Sequence, residues 1–135
     1  MDSDRLRSSP LLEGLSNDAL DRCAELFNEA EILKGSSLAK EGEFAYKFFV
    51  VLDGQVDVLD GFDLIARLGP GDFFGELGVA AAGRRTARVV AHTRCQVAWM
   101  MGWDYEAMIE EYPQVAARIE AAIAERSKTP SGTDD

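Results

Sequence analysis

The sequence predicts a mainly β domain with flanking helices: an antiparallel β-roll, jelly-roll-like, with a helix before it, a short helix within it and helices after it. Three observations predict this. Between about residues 30 and 102, short apolar runs are punctuated by Gly35, Gly42, Gly54, Gly61, Gly69 and Gly71, the rhythm of strands and tight turns. On both sides of that region apolar residues recur at helical spacing instead. The chain of 135 residues, 47% of them hydrophobic, has length for one domain and side chains for one core.

In chain order, a charged lead over 1–14 precedes a domain placed at 15–126, with a flexible tail at 127–135. Ser16 starts a helix over 16–28, because a serine oxygen accepts from the free amides of a first turn; Leu20, Cys23, Ala24 and Phe27 share its apolar face. Phe48 to Leu52 is a continuous apolar strand stopped by Asp53-Gly54, and Val56 and Val58 then alternate with Gln55 and Asp57. Asp60-Gly61 turns the chain into a further strand of Leu64, Ala66 and Leu68, which Gly69-Pro70-Gly71-Asp72 ends. Two more strands fit Arg88 to Ala91 and Gln96 to Met101.

After Gly102 the helical period returns over about 103–126. Asp104 and Glu106 suit a positive helix start, and Met108, Ile109 and Tyr112 fall in line. Pro113 opens a second helix with the stripe Val115, Ala116, Ile119, Ala122 and Ile123. Left exposed, such a stripe is sticky, so Val115, Ile119, Ala122 and Ile123 are expected to pack against a second copy of the chain as a homodimer, the alternative being that the stripe folds back on the barrel. The ending SKTPSGTDD carries too little apolar content to fold.

The bulk numbers exclude several functions. A net charge of -10, from 24 acidic and 14 basic residues, repels nucleic acid and anionic membrane alike. No apolar run spans a bilayer and the start MDSDRLRSSP lacks the apolar centre of a secretory signal, so a cytoplasmic protein is expected. Cys23 and Cys95, far apart and outside any Cys-x-x-Cys pair, are read as reduced core thiols. His92, at a strand end, cannot build a histidine metal cluster alone. No metal, cofactor or catalytic residue is expected, and the chain is not read as an enzyme.

One stretch is not explained by packing: FFGELGVAAAGRRTARVVA, residues 73 to 91. Gly75 lets the backbone turn tightly against a ligand. Glu76 adds a carboxylate, and Leu77 to Ala82 suffices for a short helix whose free amides suit an anionic phosphate. Arg84, Arg85 and Arg88 bring cations into an otherwise acidic chain. For Arg84 and Arg88 a solvated surface position is the simpler reading; Glu76 and Arg85, in a Gly-flanked apolar segment, point to a ligand with sugar hydroxyls and one phosphate charge.

This stretch resembles the phosphate-binding cassette of the cyclic-nucleotide-binding domain family, of the catabolite-activator and protein-kinase regulatory-subunit type. Phe74-Gly75-Glu76-Leu77 matches the first half of its pattern and Arg85-Thr86-Ala87 the second; Arg84 stands where proline is frequent and Arg88 where threonine or serine is. The resemblance continues through Pro10-Leu11-Leu12, Gly14-Leu15-Ser16, Lys40-Glu41-Gly42, Val51 to Val56 and Leu68 to Phe73. It implies that Glu76 accepts the ribose 2'-hydroxyl, that amides near Leu77 and Gly78 hold the cyclic phosphate with Arg85, and that Thr86 adds a hydroxyl; Gly75 completes the ligand set.

The ligand implied is cyclic AMP, with cyclic GMP as the alternative, since Thr86 does not choose the base. The function implied is a bacterial sensor domain that moves its C-terminal helices to signal to a protein partner, standing alone without a helix-turn-helix. The alternative is a structural or protein-interaction domain that kept the fold and lost the ligand. A cupin-like enzyme would need more histidines than His92. Trp103 and Tyr112 are candidates to stack on the base.

Overall fold

The computed structural model describes residues 1–7, 9–39, 47–75 and 88–128. Before the sheets come α1 (Ser3–Leu6), a single 3-10 turn (Pro10–Leu12) and α2 (Asn17–Leu26). The strands are β1 (Asn28–Ile32), β2 (Ser37–Ala39), β3 (Lys47–Asp53), β4 (Val56–Asp60), β5 (Asp63–Leu68), β6 (Phe73–Phe74), β7 (Arg88–Ala91) and β8 (Cys95–Met101). Two helices close the described chain, α3 (Gly102–Glu111) and α4 (Pro113–Lys128). The strands form two antiparallel four-stranded sheets, ordered β1-β8-β3-β6 and β2-β7-β4-β5. This is the expected roll with flanking helices.

The run FFVV in β3 is explained by burial on both faces. Phe49 and Val51 point between the sheets, in a cluster with Val56, Phe74, Val89, Ala91, Cys95 and Val97. Phe48 and Val50 point the other way, into a second cluster with Leu6, Leu20, Phe27, Met100, Tyr105 and Met108, among others from the helices. The helices therefore cover the outer face of the first sheet. A strand that alternates polar and apolar residues serves one core; β3 serves two.

Ser16 caps α2 as expected, its Oγ accepting from the amide of Ala19 at 3.1 Å. The helix stops at Leu26, two residues short of the expected end, because Phe27 turns extended to enter the helix-side core while Asn28 starts β1. β1 itself, NEAEI, gave no strand signal: it is an edge strand whose Asn28, Glu29 and Glu31 face water. The first fourteen residues also do more than lead in. Leu6, Leu11 and Leu12 are all buried in the helix-side core.

Val115, Ile119 and Ala122 of the expected dimer stripe take the alternative packing, back onto their own chain. Val115 and Ile119 are 0% and 2% exposed within one chain, and Ala122 packs on the same core. Arg118 Nη1 donates to the Leu11 carbonyl at 3.0 Å, holding the 3-10 turn against α4. The N-terminal segment thus occupies the apolar face that was expected to seek a second copy.

Both cysteines are free and buried, as read. Burial first, and the nearby Glu111 second, push the Cys23 thiol up to about 11, so almost none is thiolate at neutral pH. Neither cysteine should react with a thiol reagent in the native protein, and both should react once denaturant is added. A stoichiometric fast phase without denaturant would contradict the packing.

Candidate functional site

The segment that carries the predicted ligand residues is fixed at its two ends. At the leading end, Phe74 lies opposite Phe49 and Phe73 opposite Val50, and the Phe49 and Phe74 rings stack at 4.7 Å. The rings of this short strand point to opposite cores, Phe73 to the helices and Phe74 between the sheets. Gly75 follows at φ 99°, and a Cβ there would stand 2.5 Å from the Lys47 carbonyl oxygen. Two independent constraints, a left-handed backbone and a close approach, therefore require glycine.

At the trailing end, Arg88 opens β7, which pairs with β2 on one side and β4 on the other. Val89 and Ala91 fill the space between the sheets. Arg88 itself reaches the hairpin turn, its Nη2 donating to the Gly61 carbonyl at 3.5 Å, in keeping with a surface role. The chain thus leaves the first sheet beside Lys47 and re-enters the second beside Ala39, which pairs with Val89.

Of the predicted ligand residues the structure places Gly75; Glu76, Leu77, Gly78, Arg85 and Thr86 lie outside the described residues. Arg84 does too. Between the anchored ends, the inner surfaces of the sheets present Val51, Val56, Val89, Ala91, Phe49 and Phe74, with Val58, Leu68 and Trp99 beside them. Such side chains offer dispersion contacts to a flat ring.

Reading the sequence alone missed Lys47 and Trp99. The Lys47 ammonium lies 4.5 Å from the centroid of the Trp99 ring, beside the Gly75 turn. Lys47 precedes an apolar run and Trp99 lies within one; their meeting depends on the β3–β8 register, in which Phe49 faces Trp99. No local pattern carries that signal. The two aromatics proposed to stack on the base differ: Trp103, in the first turn of α3, is 64% exposed, whereas Tyr112 packs against the helix-side core.

Among the described residues no group of three or more His, Cys, Asp or Glu is placed to hold a metal, and no helix is long and apolar enough to cross a membrane.

Comparison with known proteins agrees with this geometry. The family model for the cyclic nucleotide-binding domain matches residues 29–112. The cyclic AMP receptor protein of Thermus thermophilus is 29% identical over 126 residues, 90% of this chain and 58% of that protein. The cAMP-dependent protein kinase regulatory subunit of Colletotrichum orbiculare is 32% identical over 100 residues, 73% of this chain and 26% of that one. The chain therefore spans little more than half of the first relative and about a quarter of the second. The crystal structure of the Thermus thermophilus catabolite activator protein superposes with a TM-score of 0.78 at 29% identity, over 89% of this chain and 59% of that one. With the roll, the helices on its outer face and the Gly75 turn all in place, the chain belongs to the cyclic nucleotide-binding domain family.

Proposed function

We propose that this chain is a cytoplasmic regulatory sensor that binds cyclic AMP, in preference to cyclic GMP, and signals to a protein partner through α3 and α4. The observation that carries the reading is Gly75: its positive φ, and the Lys47 carbonyl oxygen that would lie 2.5 Å from a Cβ there, make any other residue costly, and it stands directly before Glu76. In this reading Glu76 accepts the ribose 2'-hydroxyl, the amides near Leu77 and Gly78 and the guanidinium of Arg85 hold the cyclic phosphate, and Thr86 adds a hydroxyl. The relatives, a cyclic AMP receptor protein and a cAMP-dependent protein kinase regulatory subunit, support the choice of base.

The β3–β8 register supplies a route for the signal. Lys47, which abuts Gly75, is the cross-strand partner of Met101, and Met101 is the last residue before α3. A shift of the Gly75 turn on ligand binding pushes on the strand end from which the C-terminal helices start.

Thermal melting with cyclic AMP, cyclic GMP and non-cyclic AMP tests the reading. A ligand that binds only the folded state adds about 2.7 kcal/mol at roughly 100 times its dissociation constant. Cyclic AMP should raise the melting temperature most, and non-cyclic AMP should do little. A curve unmoved by millimolar cyclic AMP and cyclic GMP would overturn the sensor and leave a domain that kept the fold without the ligand.

A further inference from the structure

The hairpin of β4 and β5 carries an apolar tip that the nucleotide reading does not use. Phe62 is 98% exposed, Leu64 52% and Ile65 42%. β5 is the outer strand of its sheet: β4 lies on one side and, among the described residues, no strand on the other. Its pairing with β4 passes from Val58 opposite Ala66 to Leu59 opposite Leu64, so Ile65 has no partner in β4. A bulge of this kind ends the strict alternation of a strand, and Asp63, Leu64 and Ile65 are accordingly exposed in a row. An exposed apolar edge strand is a template for another chain.

The charges along β5 name the occupant. When two copies lie antiparallel with Ile65 beside Ile65, Asp63 of each stands opposite Arg67 of the other, Leu64 opposite Ala66, and Phe62 opposite Leu68. The strand is complementary to itself. Asp63 has no ion-pair partner among the described residues. Arg67 is bonded across the hairpin to Asp57, its partner in β4, with Nε 2.6 Å from Oδ1 and Nη2 3.3 Å from Oδ2. A guanidinium has five N–H donors, so a second carboxylate can share it.

We propose that this hairpin is a self-association surface, on which β5 of one copy docks antiparallel beside β5 of a second copy about Ile65. The contact is the same patch on both copies, so it closes at a dimer rather than growing into a filament. It also replaces the α4 stripe, whose Val115 and Ile119 are consumed within the chain.

Sedimentation equilibrium on the full chain, from about 10 µM to about 1 mM to suit a small interface, tests the proposal. The average mass should climb from monomer toward dimer. Ile65→Lys, which sets two ammonium groups against each other at the axis, should remain monomeric throughout while melting like the wild type. Asp63→Arg alone and Arg67→Glu alone should each weaken association by at least about tenfold, and an equimolar mixture of the two should recover it, because every contact is then between opposite charges. A wild type that stays monomeric to the highest concentration overturns the proposal. So does a dimer that Ile65→Lys leaves intact, or a mixture of the charge variants that associates no better than either alone.

Discussion

Arg85→Ala should abolish measurable cyclic AMP binding. In the proposed site the phosphate charge meets the guanidinium in partly desolvated surroundings, next to the apolar cluster between the sheets. Truncating one partner of such a pair costs roughly 2 to 5 kcal/mol, which is a loss of about 30-fold to several thousandfold in affinity. Glu76→Gln should act differently: it keeps the shape and weakens an acceptor, at about 1 to 2 kcal/mol. The wild type should also discriminate against a 2'-deoxy cyclic nucleotide, while the Glu76→Gln variant should hardly notice the missing hydroxyl. Calorimetry on the four combinations of protein and ligand separates these roles. If the deoxy ligand loses as much on the variant as on the wild type, Glu76 does not read the ribose. If Arg85→Ala binds normally and Arg84→Ala does not, the phosphate contact belongs to the neighbouring arginine.

Phe48→Ala should cost about 3 to 5 kcal/mol of folding stability, a large part of what a domain of this size possesses. The ring is fully buried, and its centroid lies 4.7 Å from that of Tyr105 and 5.8 Å from that of Phe73. Its removal opens a cavity where β3 meets α3 and β6 at once. The same lesion lies two residues from the Val50–Phe73 pair that positions the Gly75 turn, so affinity for the nucleotide should fall with stability. Urea unfolding of the two proteins measures the first effect. An unfolding free energy within about 1 kcal/mol of wild type would mean that the core collapses around the missing ring far better than tightly packed interiors do.

The roll was legible because its turns are chemical: Asp53-Gly54 and Asp60-Gly61 each place a positive-φ glycine where the chain reverses. The strands between them announce themselves by apolar content. β1 does not, because an edge strand with one solvent face can be made of Asn28, Glu29, Ala30, Glu31 and Ile32. Helix α4 was legible as a helix, yet its stripe does not say what covers it; the cover comes from Leu11 and Leu12, isolated apolar residues without a period. At the candidate site, Gly75 stood out through its neighbours in sequence. Lys47 and Trp99 did not, since they meet only across β3 and β8.

The bond from Arg118 to the Leu11 carbonyl joins positions 107 residues apart, and it has a consequence for how the molecule is made. During synthesis the 3-10 turn emerges well before the helix that shelters Leu11 and Leu12, with all the strands made in between. Closing so long a loop is entropically costly and is repaid only when both ends exist. The helical layer should therefore mature late, after the sheets, and chains halted before α4 should display Leu11 and Leu12 to chaperones and proteases.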